Sequence, residues 1–168
     1  MAIKYNRYLV TPIFANETRN IGSVQTFPRT DSMPEELSIE TNCRLVFQNV
    51  RRHFIWASDK VVYGQPDHWQ DFTKRVRAGI TTRADCEDFA LTCLDFLRET
   101  VPPDKLKICF CITETGGGHA VAAIDDDPAG KTWVLDNRER DIADWRSLRY
   151  RWVSFMKLSE RGVWRKFD

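Results

Sequence analysis

The protein has 168 residues, a length that fits one domain, and 42% of them are hydrophobic, including six Trp and ten Phe that can fill a core. The formal net charge is +1, which excludes a strong overall field for binding nucleic acid or an anionic membrane surface. The sequence contains no apolar run long enough to cross a bilayer.

The segment from Met1 to Tyr8 contains neither an apolar stretch nor a small-residue cleavage site of the kind that a secretory signal carries. We therefore expect a cytoplasmic protein. The five cysteines are odd in number, and their spacing does not indicate a disulfide framework. In a reducing compartment we expect free thiols, so the presence of at least one cysteine has to be explained by a role other than disulfide formation.

Residues 1–37 differ in composition from the rest of the chain. They contain Pro12, Pro28 and Pro34 with short β-prone pieces, and no helical period runs through them. This pattern predicts an extended arm with one or two short strands. Such an arm has little core of its own, so we expect it to pack on the domain or on a protein partner. Residues 38–168 are the predicted folded domain.

Helices are predicted in the first half of this domain. Apolar residues at helical spacing indicate helices over residues 38–57 and 67–76 and, most clearly, over 85–99. The segment 60–64 contains two valines and ends in glycine, which indicates a short strand or a turn.

The second half of the domain is predicted to be a β-sheet, because the period of its apolar residues changes to two. Strands are expected over residues 107–112, 119–124, 132–135 and 152–158. The first of these is apolar on both faces, which is typical of a central strand. Helices followed by an antiparallel meander predict an α+β fold.

Cys86 lies where a loop is expected to become the helix of residues 85–99. A helix N-terminus presents unpaired N–H groups and a partial positive charge, which favour the nucleophilic thiolate over the thiol. The same N–H groups can stabilise an oxyanion on an attacked carbonyl. Free cysteines are more often buried structural residues, and we interpret the other four in that way: Cys43, Cys93, Cys109 and Cys111.

His119 follows three consecutive glycines, Gly116 to Gly118. Glycines let the chain turn sharply, which would place His119 at the first position of a strand. A histidine titrates near neutral pH and is suited to taking the proton of a thiol. The alternative is a flexible hairpin that ends in a surface histidine. His53 and His68 lack this context and are interpreted as structural.

Asp136 ends the apolar strand of residues 132–135. An acid in this place can accept a hydrogen bond from a catalytic histidine and fix its tautomer. The alternative is an ordinary aspartate that begins a turn with Asn137. The order along the chain favours the first interpretation, because a cysteine at a helix start, then a histidine on a strand, then an acid on the next strand is the papain-type arrangement.

The segments that carry these residues resemble the bacterial transglutaminase-like cysteine proteinases. The matching runs are Asp85–Ala90 (DCEDFA), Gly118–Val121 (GHAV) and Val134–Asn137 (VLDN). Four residues upstream also fit the pattern of the family: Tyr63, Gly64, Asp67 and Trp69. The resemblance covers roughly residues 42–145. It implies a papain/transglutaminase-like fold, with Cys86 as nucleophile, His119 as base and Asp136 as orienting acid.

The resemblance also implies a calcium site beside the nucleophile, formed by the acids that flank it, Asp85 and Glu87. Carboxylate oxygens are the hard ligands that calcium prefers. A reading without metal is equally open, in which Asp85 caps the helix and Glu87 complements the helix dipole.

The leading hypothesis for function is a cysteine endopeptidase or amidase that acts on a protein or peptide through a thioester at Cys86. Acyl transfer to an amine uses the same three residues and is the first alternative. The second is a non-catalytic or partner-activated structural module. Small family members without export signals resemble phage-encoded proteins, which adds a virion-associated role as a hypothesis. Tyr63 and Trp69 are candidates for the walls of a substrate cleft and could equally be core aromatics.

Overall fold

The computed structural model describes residues 37–167, in which helices cover one face of an antiparallel sheet. This arrangement confirms the predicted α+β class. The predicted arm of residues 1–37 lies outside the described residues except for Leu37. Among the described residues, no helix combines the length and the apolar character that crossing a membrane requires.

The described residues form four α-helices. Ser38 caps the first of them, because its hydroxyl accepts the backbone N–H of Thr41 at 3.2 Å. The bounds of the helices are α1 Ile39–Arg52, α2 Asp59–Val62, α3 Thr73–Arg77 and α4 Cys86–Leu97. A two-stranded parallel sheet, formed by β1 Phe54–Trp56 and β2 Thr82–Ala84, leads the chain into α4.

The main sheet has six strands: β3 Leu106–Ile112, β4 Gly118–Asp126, β5 Lys131–Leu135, β6 Ala143–Asp144, β7 Arg151–Lys157 and β8 Arg165–Lys166. Their spatial order is β6-β5-β4-β3-β7-β8, and every neighbouring pair is antiparallel. The central position predicted for β3 is confirmed. The chain order is not a simple meander, because β7 returns to pair with β3 on the side opposite to β4.

The core between the helices and the sheet is mainly aliphatic, with a cluster of phenylalanine rings on its helical side. Phe89 of α4 packs edge-on against Phe47 of α1, with ring centroids 6.0 Å apart, and against Phe54 of β1 at 4.9 Å. Ile108 of β3 and Leu135 of β5 complete this core from the sheet side, and both are fully buried. The core therefore fixes α4, which begins with Cys86, against the middle of the sheet.

Two of the predicted helices are shorter in the structure. The helix expected over residues 38–57 ends at Arg52, because Phe54–Trp56 pairs with β2 as a strand. Of the helix expected over 67–76, only Thr73–Arg77 forms. The residues before it are irregular, and Asp88 and Thr92 of α4 hold them by accepting the backbone N–H groups of Gln70 and Phe72. Of the two alternatives predicted for 60–64, the strand does not form, because Asp59–Val62 is a short helix; the chain then turns at Tyr63 and Gly64.

Candidate active site

Cys86 is the first residue of α4, and the strand β2 delivers the chain to it. Asp85, in an extended conformation, separates the end of β2 at Ala84 from the helix. All five cysteines lie in the described part of the chain, and Cys86 alone is partly accessible while the other four are buried. The expected division between Cys86 as candidate nucleophile and four structural thiols therefore agrees with their burial.

His119 of β4 and Asp136, the residue directly after β5, form a buried pair. The Nε2 atom of His119 lies 2.8 Å from Oδ1 of Asp136, and the two residues are only 5% and 1% exposed. Because a carboxylate can only accept, Nε2 carries the proton in this pair, and in the neutral ring Nδ1 is the basic nitrogen. This tautomer leaves Nδ1 available to take a proton from a thiol.

Asp136 is held by two further donors. The backbone N–H of Arg138 donates to Oδ1 at 2.8 Å, and the hydroxyl of Tyr150 donates to Oδ2 at 2.7 Å. Burial alone would raise the pKa of Asp136, but the hydrogen bonds from His119, Arg138 and Tyr150 outweigh it, so the pKa lies below its ordinary value. The acid is therefore ionised beside His119 at neutral pH.

The thiol of Cys86 lies against the start of β4. The backbone of Ala120, the residue after His119, is close enough to the sulfur to lower the pKa of the thiol. Because α4 packs on β4 through the core, the helix start and the first residues of this strand meet at one place. The structure thus brings the thiol to the strand that carries His119.

The pKa of the Cys86 thiol is nevertheless raised well above its ordinary value, contrary to the expectation from the helix N-terminus. Burial is the main cause. The next is Glu87, whose Oε2 accepts a hydrogen bond from the thiol at 3.0 Å, and the negative charge of Asp85 adds to it. Burial and the carboxylates on both sides of the cysteine together therefore outweigh the helix dipole. A cation bound to these acids would remove much of that penalty.

Five carboxylates cluster beside the thiol. Single oxygens of Asp59, Asp67 and Glu87 lie within 4.8 Å of one another, as do single oxygens of Asp59, Asp85 and Asp88. Like charges and burial raise the pKa of Asp85 to about 8 and that of Asp88 to about 6, with desolvation the largest cause for both. The cluster therefore contains more negative charge than the structure compensates.

Two oxygens in this cluster lack any partner. The Oδ1 atoms of Asp59 and Asp85 are buried without a hydrogen bond within the described residues. Asp85 makes no side-chain hydrogen bond as the N-cap of α4, so the capping role that the metal-free interpretation gave it is wrong, while Glu87 lies in the first turn as that interpretation has it. Unpaired buried carboxylate oxygens at this spacing fit a hard cation such as calcium.

Tyr63 and Trp69 lie beside the acidic cluster. The hydroxyl of Tyr63 donates to Asp88 at 3.3 Å, and its ring lines a surface cavity of about 750 Å³ together with Arg75 and Arg83. Trp69 is 43% exposed and donates through its indole N–H to Asp67 at 2.8 Å. Neither residue is a core aromatic; their role as cleft walls stays a prediction.

Sequence reasoning missed several residues that surround this site. Asp59 precedes the Cys86 segment by a long stretch and belongs to a helix of one turn, which has no sequence signature. Tyr150 contacts Asp136 because β7 folds back beside β3, whereas Arg138 contacts it locally, through a backbone N–H two residues further along the chain. Asp67 and Asp88 lie within the segments that resemble the family, and Asp88 directly follows Glu87, a predicted calcium ligand. These positions are the signal that the sequence offered for them.

A thiol at a helix start, packed on an antiparallel sheet with a His–Asp pair on adjacent strands, defines the class of papain-like, transglutaminase-like cysteine proteases. The family profile described as bacterial transglutaminase-like cysteine proteinase matches residues 24–168. The chain therefore belongs to this family, which confirms the predicted family. No curated protein sequence matches the chain.

Solved structures of LapG from Legionella pneumophila share the fold. One is 22% identical with a TM-score of 0.56, and the match covers 70% of this chain and 64% of that chain. The calcium-bound form is 20% identical with a TM-score of 0.60, covering 77% of this chain and 72% of that one. The EGTA-treated form is also 20% identical, with a TM-score of 0.61 and coverages of 77% and 68%. The chain thus spans less than two thirds of the first of these proteins.

Proposed function

We propose that the protein is a cysteine endopeptidase or amidase with Cys86 as nucleophile, His119 as general base and Asp136 as orienting acid. The observation that carries the proposal is the buried 2.8 Å bond between His119 and Asp136. The residue after His119, Ala120, is close enough to the Cys86 sulfur for its backbone to lower the pKa of the thiol. Membership in a cysteine proteinase family supports the reaction class.

The proposed reaction has two halves. The Nδ1 atom of His119 takes the thiol proton while the sulfur attacks the carbonyl carbon of a peptide or amide bond. His119 then returns the proton to the leaving amine, the C–N bond breaks, and a thioester with Cys86 remains. Water, deprotonated by His119, attacks the thioester and releases the acid and the free thiol. Asp136 stabilises the imidazolium formed in each half.

The oxyanion of each tetrahedral intermediate lies next to the sulfur, at the start of α4. The backbone N–H groups of the first helical turn have no partner within the helix and point outward from this end. We propose that they donate to the oxyanion, aided by the helix dipole. This role uses Cys86 at the first helical position, which is where the structure has it.

We propose that the acidic cluster binds calcium. Asp85 and Glu87 would be ligands, as the family resemblance implies, with Asp59, Asp67 and Asp88 as further candidates from their mutual distances. The unpaired buried oxygens of Asp59 and Asp85 support this set, and LapG has been solved in a calcium-bound form. Bound calcium would supply positive charge that offsets the carboxylates beside the thiol and so favours thiolate.

The first experiment is alkylation of the native protein at mildly acidic pH, followed by intact mass, with calcium or with EGTA. We expect one thiol to react rapidly in calcium, to be lost in Cys86→Ser, and to slow in His119→Ala. The matched control is His53→Ala, which removes another imidazole at the end of α1 and should label as the wild type does. Uniformly slow labelling of all five thiols in calcium would overturn the proposal.

A second experiment separates hydrolysis from acyl transfer. Both outcomes begin with the same thioester, and only the acceptor that attacks it differs. Protein substrates digested with and without an excess of a primary amine, such as glycine methyl ester, are analysed by mass spectrometry for new termini and for amine adducts. New carboxyl termini in the presence of the amine support the peptidase, whereas adducts on intact side chains identify a transglutaminase.

A further inference from the structure

Tyr150 contacts the buried His119–Asp136 pair, and the sequence gives no signal of this contact. It directly precedes β7, and its hydroxyl donates to Oδ2 of Asp136 at 2.7 Å while accepting from Nη1 of Arg138 at 3.2 Å. Its ring stands edge-on to the imidazole of His119, with centroids 5.9 Å apart and planes at 79°. The tyrosine therefore touches both members of the buried pair.

The two oxygens of Asp136 have different partners. Oδ1 accepts from Nε2 of His119 and from the backbone N–H of Arg138, both at 2.8 Å. Oδ2 accepts from Tyr150. A carboxylate with donors on one oxygen only can rotate about its terminal torsion, which is broad in energy. The bond from Tyr150 holds the second oxygen and so fixes the plane of the group that orients His119.

Arg138 extends this contact to the glycine-rich turn between β3 and β4. Its guanidinium forms an ion pair with Glu114, which lies in that turn, and the same group donates to the hydroxyl oxygen of Tyr150. Because Arg138 occupies a lone pair of the hydroxyl oxygen, the proton of the hydroxyl is directed to Asp136. The groups facing the acid are thus His119, Arg138, Tyr150 and the nearby thiol of Cys111.

We propose that Tyr150 is a positioning residue of this site: its hydroxyl locks Asp136 so that the acid selects the Nε2–H tautomer of His119 and leaves Nδ1 free for the thiol. The role rests on the proposed function of the His119–Asp136 pair. Tyr150 acts through Asp136 and touches no substrate. The hydrogen bond to an ionised partner in a buried site is of the stronger kind, so its loss has a measurable effect.

The test compares Tyr150→Phe with wild type and with Trp152→Phe. Trp152 packs on the ring of Tyr150, with centroids 5.9 Å apart, and its replacement perturbs packing while the hydroxyl stays in place. Two readouts are used at pH 8. One is long-range proton–nitrogen NMR of the His119 ring, which identifies the tautomer directly. The other is hydrolysis of p-nitrophenyl acetate, a small activated ester that probes the thiol without requiring the natural substrate.

We expect wild type and Trp152→Phe to show a single Nε2–H tautomer and Tyr150→Phe to show a mixture of both. Ester hydrolysis by Tyr150→Phe should fall about tenfold, the equivalent of a hydrogen bond to a charged group. Ester hydrolysis by Arg138→Met, at an exposed position, should fall in the same direction by about threefold, since this variant loses the bond that directs the hydroxyl, together with the exposed ion pair to Glu114, but keeps the hydroxyl itself. If Tyr150→Phe fails to fold, Arg138→Met still tests the role of the Tyr150 hydroxyl.

A single Nε2–H tautomer in Tyr150→Phe, whatever its rate, overturns the proposal. So does an equal tautomer mixture in Trp152→Phe, because the effect would then come from packing. The NMR readout needs no turnover. If the wild type and Cys86→Ser hydrolyse the ester equally, the proposed enzymatic function fails while the tautomer still decides the role of Tyr150.

Discussion

Asp85→Asn is expected to stabilise the protein in the absence of calcium at neutral pH, although it removes a residue of the candidate site. In the folded protein, burial and the neighbouring carboxylates raise the pKa of Asp85 from 3.8 to about 8. Between about pH 4 and pH 8 the folded state therefore binds more protons than the unfolded chain, and stability falls as pH rises. Asparagine carries no charge, so the variant avoids this loss.

The magnitude follows from the size of the pKa change. One pKa unit corresponds to about 1.4 kcal/mol, so the full change would amount to about 6 kcal/mol in a dry site. Asp85 is only half-buried, and water screens its charge, so we reduce the expected effect to about 1–2 kcal/mol. For a domain of this size that is a rise of about 5 °C in the melting temperature.

The assay is thermal unfolding followed by circular dichroism, in EGTA and in calcium, at pH 4.5 and pH 7.5. The control is Asp104→Asn, which removes the same charge at an exposed position away from the cluster. In EGTA we expect the melting temperature of Asp85→Asn to exceed that of the wild type at pH 7.5 and to match it near pH 4.5. Calcium should stabilise the wild type more than the variant. A variant less stable than wild type in EGTA at pH 7.5, or a difference that does not change with pH, would refute the reasoning.

Three other changes test other parts of the site and fold. Glu87→Gln removes the charged acceptor of the thiol proton, so it should lower the pKa of Cys86 and speed its alkylation in EGTA at pH 8; slower labelling would contradict this. Asp136→Asn keeps the shape but removes the negative charge that stabilises the imidazolium, and we expect ester hydrolysis to fall by about a hundredfold or more, with near-wild-type rates as the contrary result. Phe89→Ala opens a cavity at a residue that is 1% exposed, which should cost about 3–5 kcal/mol in urea unfolding. A loss below about 1 kcal/mol would mean that α4 is not anchored as described.

The strands and the site residues of the central segments were predictable because their signals are local. Period-two apolar patterns mark β3, β4 and β5, and the runs around Cys86, His119 and Asp136 each stand at the end of such a pattern or at a helix start. The order of these three elements along the chain was enough to bring His119 beside Asp136, since β4 and β5 are consecutive antiparallel strands.

The parts that sequence did not predict depend on long-range pairing. Phe54–Trp56 extends a helical pattern in the sequence, yet it becomes a strand because Thr82–Ala84 lies parallel to it. Likewise β7 pairs with β3 instead of continuing from β5. That return brings Tyr150 to Asp136, and no local pattern near residue 150 indicates such a contact.

The acidic cluster links the stability of this fold to the reactivity of its thiol. Asp85 and Glu87 flank Cys86 directly. Their charges raise the pKa of the nucleophile, and burial together with the charge of Glu87 raises the pKa of Asp85, which destabilises the folded state at neutral pH. A protein that only needed a stable helix start would gain by replacing them with neutral residues, because Asp85 makes no capping bond in return. Their presence is explained if a cation is bound during function. On the proposed mechanism, calcium then relieves both penalties through the same oxygens, and activity should appear over the calcium concentrations that stabilise the fold.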